Sequence, residues 1–212
     1  MISTAKFDYG TFDDVRAQTV QKFGSFLDLP IVPGFNQEAI STYSAGNILD
    51  IGAGKDKPML KSMEKIDTKL YYTLDNDPQG DFNFNALEDI PVELQFELVT
   101  AGQFFEHLHY QDALNFTQKL KNHIAPGGQL VVSVPNILHP NRYWGDITHL
   151  THWNYNNLSL IYHYADMSVT KIARYSKRHP QGLIEKTLAK YISRIYRMDW
   201  CDSILMVGQK NE

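Results

Sequence analysis

The run Asn47-Ile48-Leu49-Asp50-Ile51-Gly52-Ala53-Gly54 constrains this chain more than any other stretch. A short apolar strand carries one carboxylate and then breaks into a glycine turn. Such a turn lets backbone approach a ligand and opens a pocket at the C-terminal edge of a parallel sheet. The rest of the sequence agrees. From Asn47 onward, strand-like runs at 47–51, 69–74, 96–101, 129–134, 168–175 and 203–209 alternate with helical patterns at 57–65, 111–123, 156–165 and 183–197. That alternation implies an α/β fold with a doubly wound, mostly parallel sheet. Residues 80–86 read as a loop or a short strand. Upstream, residues 11–29 carry a rough helical face, Leu29 to Gly34 breaks it, and Asn36 is placed to cap a short helix ending near Gly46.

The 212 residues suit one domain, divided into a helical cap at 1–46, a core at 47–135 and a substrate-side remainder at 136–212. The net charge of -4 offers no bulk attraction to nucleic acid, so that partner is not expected. No apolar run reaches membrane-spanning length, and the first eight residues lack the apolar core of a signal peptide. Cys201 is the single cysteine, which excludes an internal disulfide and a cysteine zinc site. The expected location is the cytoplasm. Oligomeric state is not legible.

The glycine turn narrows the ligand. A dinucleotide site would place a third glycine at position 57, and Lys57 stands there. Asp50 beside the turn would repel a pyrophosphate but suits a ligand with an ammonium group. S-adenosylmethionine carries an ammonium and a sulfonium and no phosphate. Asp75 ends the next strand, 21 residues after Gly54, where an acid can accept both ribose hydroxyls. Asn76 adjoins it, and Asp77 is the fallback.

Residues 47–135 resemble the class I S-adenosylmethionine-dependent methyltransferases. The resemblance rests on the Leu49-Asp50-Ile51-Gly52-Ala53-Gly54 turn, on Asp75, and on the stretch from Leu120 through Pro126-Gly127-Gly128 to Val134-Pro135-Asn136. Phe96 to Ala101 looks like the family's fourth strand. Gln103-Phe104-Phe105-Glu106-His107-Leu108 resembles the Glu-His-Leu helix start of the small-molecule branch. The resemblance implies a seven-stranded sheet with its last strand antiparallel, and S-adenosyl-L-methionine as cofactor. It also implies contacts. Gly52, Ala53 and Gly54 would pass close to the cofactor, Asp50 near its methionine end and Asp75 at its ribose. Asn85 and Ala86 would meet adenine, where the family often has an acid. Ala101, Gly102 and Gln103 would line the sulfonium side. Lys55 and Asn85 depart from the family pattern, and they are the best support for a rival, non-catalytic binding module.

Methyl transfer to a hydroxyl needs an aligned nucleophile, excluded water and a base. Candidates near the ends of the later strands are Glu106, His107, His109, His149 and His152. The segment Tyr143 to Asn154 gathers histidines, tryptophans and an acid in the position of a substrate-covering loop. Its Asp146-Ile147-Thr148-His149 is similar to an Asp-x-Thr-His element of some sugar- and polysaccharide-associated methyltransferases. His149 is therefore expected as base or positioning group, with His107 and Glu106 as alternatives. Glu106-His107 with a later histidine is similar to the metal-binding Glu-x-x-Glu-His of some O-methyltransferases. Gln103 replaces the first acid, which weakens a magnesium site, and no metal is expected. Surface or core roles are expected for His139, His163 and His179.

The helix at 183–197 carries apolar residues at 184, 188, 191, 192 and 195 with basic residues between. It is expected to pack on its own domain with a solvated basic face, although a membrane surface or partner is an alternative. The expected function is methyl transfer to an oxygen, less so a nitrogen, of a small molecule or glycan. RNA ribose or a protein side chain is the alternative acceptor.

Overall fold

The computed structural model describes residues 8–63, 67–177, 180 and 182–211. His179 and the C-terminal end of the helical pattern at 57–65 lie outside the described residues. Helix α1 (Tyr9–Phe23) is capped by the Asp8 carboxylate, which accepts from the N–H groups of Gly10 and Thr11. Helix α2 (Phe35–Thr42) starts after Gly34 rather than at Asn36. The Asn36 amide instead donates to Ser62 Oγ at 2.7 Å, tying α2 to α3 (Pro58–Ser62).

Strands β1 (Ile48–Ile51), β2 (Tyr71–Leu74), β3 (Phe96–Gly102), β4 (Ile124–Pro135), β5 (Met167–Tyr175) and β6 (Ser203–Lys210) form one sheet in the order β2-β1-β3-β4-β6-β5. β1, β2, β3 and β4 run parallel, and β6 is antiparallel to both of its neighbours. Every residue of β1 is buried, as expected for a central parallel strand covered on both faces. Leu49 and Ile51 pack with Ala113 and Leu120 of α4 (Tyr110–Leu120) and with Leu158 and Ile161 of α5 (Tyr155–Tyr164). Ile48 faces the other way, toward Ala39 of α2 and Met59 of α3. The chain leaves β1 toward β2 on one side and returns to β3 on the other. That reversal places the crevice outside the C-terminal ends of β1 and β3.

Two expectations are corrected. Six strands form among the described residues, not seven. Residues 80–86 contribute one bridge, Leu74 to Phe84. The Asn83 side chain takes the place of strand pairing, its Oδ1 accepting from the N–H of Thr73 at 2.9 Å and from Thr73 Oγ1 at 3.0 Å. Helix α6 (Gly182–Tyr196) rests on its own domain through the small residues Ala189 and Ser193, and its large apolar side chains face solvent.

Candidate active site

Two cavities meet at the end of β1 and β3, and Gly52 and Gln103 line both. The first, about 560 Å³, is lined on one wall by Asp50, Gly52, Ala53, Gly102 and Gln103. Its other walls include Phe35, Ser133, Arg142, Tyr175 and Lys177. The second, about 740 Å³, is lined by Asp75, Asn76, Asn85, Ala86, Gln103 and His107 among others. Gly54 lines neither, but its N–H donates to Asp75 Oδ2 at 2.8 Å. Asp50, Gly52, Ala53, Asp75, Asn76, Asn85, Ala86, Gly102 and Gln103 thus line the cleft and Gly54 supports it, whereas Ala101, expected on the sulfonium side, is fully buried and lines neither cavity.

Glycine is required here for two separate reasons. Gly52 and Gly54 hold φ of 67° and 61°, the left-handed region that favours glycine. Gly102 is a close approach, since a Cβ there would lie 2.8 Å from Phe35 Cε1. Lys57 also adopts φ of 44°, and its ammonium reaches the carbonyl of Asp81. Lys55 Nζ donates to Gln79 Oε1 at 3.2 Å. Both lysines are therefore engaged by the loop after β2.

Asp50 is buried. It accepts from Thr100 Oγ1 at 2.7 Å and from the Tyr71 hydroxyl. Burial pushes its carboxyl up to about 6, against the opposing effect of the two hydrogen bonds. A cation arriving in this cavity would favour its charged form. Asp75 accepts one backbone N–H on each oxygen, from Gly54 and from Asp77. That fixes the carboxylate while each oxygen keeps a second lone pair. A buried acid for an ammonium and a fixed acid for a diol suit the donor groups of S-adenosylmethionine.

The loop after β4 is tied to the turn after β3. The N–H groups of Leu150 and Thr151 donate to the Glu106 carbonyl at 2.7 and 3.1 Å, and Trp153 Nε1 donates to the Phe105 carbonyl at 3.0 Å. This brings Glu106, His107 and His149 together, with one ligand atom of each within 4.8 Å of the others. His149 Nδ1 lies 2.8 Å from the Tyr143 carbonyl, and His107 Nδ1 lies 3.3 Å from the Thr148 carbonyl. A carbonyl can only accept, so each Nδ1 carries hydrogen and each Nε2 of the neutral ring is an acceptor. The two rings stand 5.2 Å apart. Glu106 is buried with neither carboxylate oxygen hydrogen-bonded, and burial pushes its carboxyl up to about 8. The three side chains are a set that could hold a divalent cation. His107 is exposed toward the cleft and His149 is set behind it. His109 precedes α4 and His152 stacks edge-on to Tyr143, both exposed and outside the cluster.

Sequence reasoning did not single out Arg142, Ser133 or Tyr175. Arg142 Nη2 donates to Gln103 Oε1 at 2.9 Å, and the Tyr175 hydroxyl donates to Ser133 Oγ at 3.1 Å. Gln103 itself sits at φ of 56° and donates its N–H to the Ser133 carbonyl. Position at the C-terminal ends of β4 and β5 is the signal that could have found Ser133 and Tyr175.

The doubly wound sheet and its cleft at the β1/β3 reversal define an α/β protein of the methyltransferase type. A family model described as a methyltransferase domain matches residues 27–187, and the chain belongs to that family. Among solved structures, an S-adenosylmethionine-dependent methyltransferase from Archaeoglobus fulgidus is similar over 94% of each chain, with a TM-score of 0.62 and 16% identity. The N-methyltransferase NodS from Bradyrhizobium japonicum WM9, in complex with S-adenosyl-L-homocysteine, is similar over 95% of this chain and 99% of its own, with a TM-score of 0.56 and 15% identity. The (4+2)-cyclase SpnF is similar over 83% of this chain and 79% of its own, with a TM-score of 0.57 and 14% identity. At these identities the likeness is one of fold. Comparison with curated proteins finds no match.

Proposed function

We propose that the protein moves a methyl group from S-adenosylmethionine to an oxygen of a small molecule or glycan. The donor, when bound, supplies an electrophilic methyl on a sulfonium. Asp50 holds its ammonium, Asp75 its ribose hydroxyls, and Asn85 and Ala86 border its adenine. The acceptor lies at Gln103, where the two cavities meet, between His107 on one side and Arg142, Ser133 and Tyr175 on the other.

The observation that carries the oxygen reading is the pair of tautomer-fixed histidines. A hydroxyl must lose its proton as it attacks, and a positioned base near neutrality serves that step. His107 Nε2 is free to take the proton at the cleft wall. His149 lies behind it, and the buried Glu106 carboxyl completes the cluster.

Calorimetric titration with S-adenosylmethionine tests the donor. Transfer of labelled methyl to a panel of hydroxylated sugars and small alcohols, beside matched amines, tests the acceptor atom. Label on amines alone, at rates indifferent to His107→Ala and His149→Ala, would overturn the oxygen assignment. No cofactor binding at high micromolar concentration would return the fold to the non-catalytic reading.

A further inference from the structure

Helix α6 presents three stripes. Ala189 and Ser193 face the domain, and the Ala189 carbonyl accepts from Trp200 Nε1 at 3.2 Å. Ile184, Leu188, Tyr191 and Ile195 recur at helical spacing on a different face, and Leu183 and Tyr196 are exposed to either side of it. These six are exposed, Leu183 at 82%, Ile184 at 84% and Tyr191 at 64%. Lys186, Lys190 and Arg194 form a third stripe, and Arg197 follows the helix end. All four cations are exposed, and among the described residues none of them forms an ion pair. Leu27 and Ile31, also exposed, share a cavity with Lys190 and Arg194 beside the helix.

A contiguous row of exposed large apolar side chains marks a surface that meets something else. The charges say what. Four cations against Glu185 make this face basic in a chain whose net charge is -4. Pairing the apolar stripes of two copies would bring two such basic flanks together. A layer of anionic headgroups would neutralise them while taking up the apolar stripe. Fifteen residues of helix reach about 22 Å, and no helix of the described residues is long and apolar enough to cross a membrane.

We propose that α6 seats the protein on an anionic lipid surface, lying in the interfacial plane. Ile184, Leu188, Tyr191 and Ile195 enter the acyl boundary, and Lys186, Lys190, Arg194 and Arg197 engage the phosphates. The cavity beneath α6, about 700 Å³, shares Arg142, Ser176, Lys177 and Asp202 with the cofactor cleft. On the reading of that cleft given above, docking turns the acceptor side toward the lipid.

Sedimentation of the full chain with phosphatidylcholine vesicles, with and without phosphatidylglycerol, tests this. Binding should tighten by about tenfold or more with the anionic lipid and weaken with salt. The double variant Ile184→Glu, Tyr191→Glu should abolish binding. Lys190→Glu, Arg194→Glu should remove the preference for phosphatidylglycerol. All four positions are exposed, and unchanged circular dichroism melts and S-adenosylmethionine titrations would show each variant folded. Equal affinity for both vesicles, or no binding to either, would overturn the proposal. So would a dimer in analytical ultracentrifugation that Tyr191→Glu dissolves. Vesicle binding is read without turnover, so its failure leaves the transfer chemistry standing.

Discussion

The N–H of Gly54 donates to Asp75 Oδ2 at 2.8 Å, joining the turn after the first strand to the acid after the second. The contact makes the glycine turn and the carboxylate one unit. Asp75→Ala removes that tie and both proposed ribose contacts. S-adenosylmethionine affinity should fall by about 3 kcal/mol or more, since hydrogen bonds to a charged group contribute about 1.5–3 kcal/mol each. Calorimetry reads this directly. Binding undiminished in the variant would remove Asp75 from the ribose.

Asp50 makes binding pH-dependent. Its carboxyl titrates at about 6 in the free protein, raised by burial. A ligand ammonium prefers the carboxylate, so affinity should weaken as pH falls through about 6. Stability without ligand runs the other way. A raised native value means the stabilising contribution is present below the ordinary 3.8 and lost as pH rises through about 6. Asp50→Asn should flatten both profiles. Titrations and thermal melts between pH 5 and about 8 separate the two effects.

Glu106 carries the same sign at higher pH. Burial raises its carboxyl to about 8, so its contribution to stability is lost as pH rises through about 8. Glu106→Gln keeps the shape and removes the ionisation. Melts should favour the variant increasingly as pH rises from 4.5 to about 8, and the two proteins should converge in acid. Equal loss of stability in both proteins at high pH would place the destabilising group elsewhere.

The two histidines should separate binding from turnover. His107→Ala should leave S-adenosylmethionine affinity intact and reduce kcat by about 10²–10⁴, the range for a lost general base. His149→Ala should lower kcat less, because it acts through His107. A chelator such as EDTA should leave both rates unchanged on this reading. Loss of rate restored by added divalent metal would recast the cluster as a metal centre.

Arg174 and Asp199 form a buried ion pair at 3.0 Å, with Arg174 also donating to the carbonyls of Leu27 and Leu29. Asp199→Ala would leave the buried guanidinium with its carbonyl contacts but no counter-charge. The expected cost is about 3–5 kcal/mol, read by denaturant titration.

Much of this was legible in the residues. Leu49 and Ile51 flank Asp50 with a fully apolar pattern, and only a central parallel strand satisfies it. Asp75 could be placed because a strand ends there. Arg142 and Tyr175 could not, since what they border is set by how β4, β5 and the loop after Pro135 meet in space. The outward turn of α6 was hidden for a related reason. Periodicity gives the width of an apolar stripe, and the small pair Ala189 and Ser193 decided which stripe touched the domain.

The single bridge at Phe84 has a consequence for life among other chains. A bare outer strand offers N–H and C=O groups to any passing strand. At β2 the Asn83 amide oxygen covers the Thr73 N–H, and Phe84 donates to the Thr73 carbonyl and accepts from the Asp75 N–H. At β5 the backbone of Pro30 and Val32 does the same service to Arg174. Each rim of the described sheet therefore has a stretch covered by borrowed backbone, at Thr73 to Asp75 and at Arg174, which shortens the open edge presented to another chain.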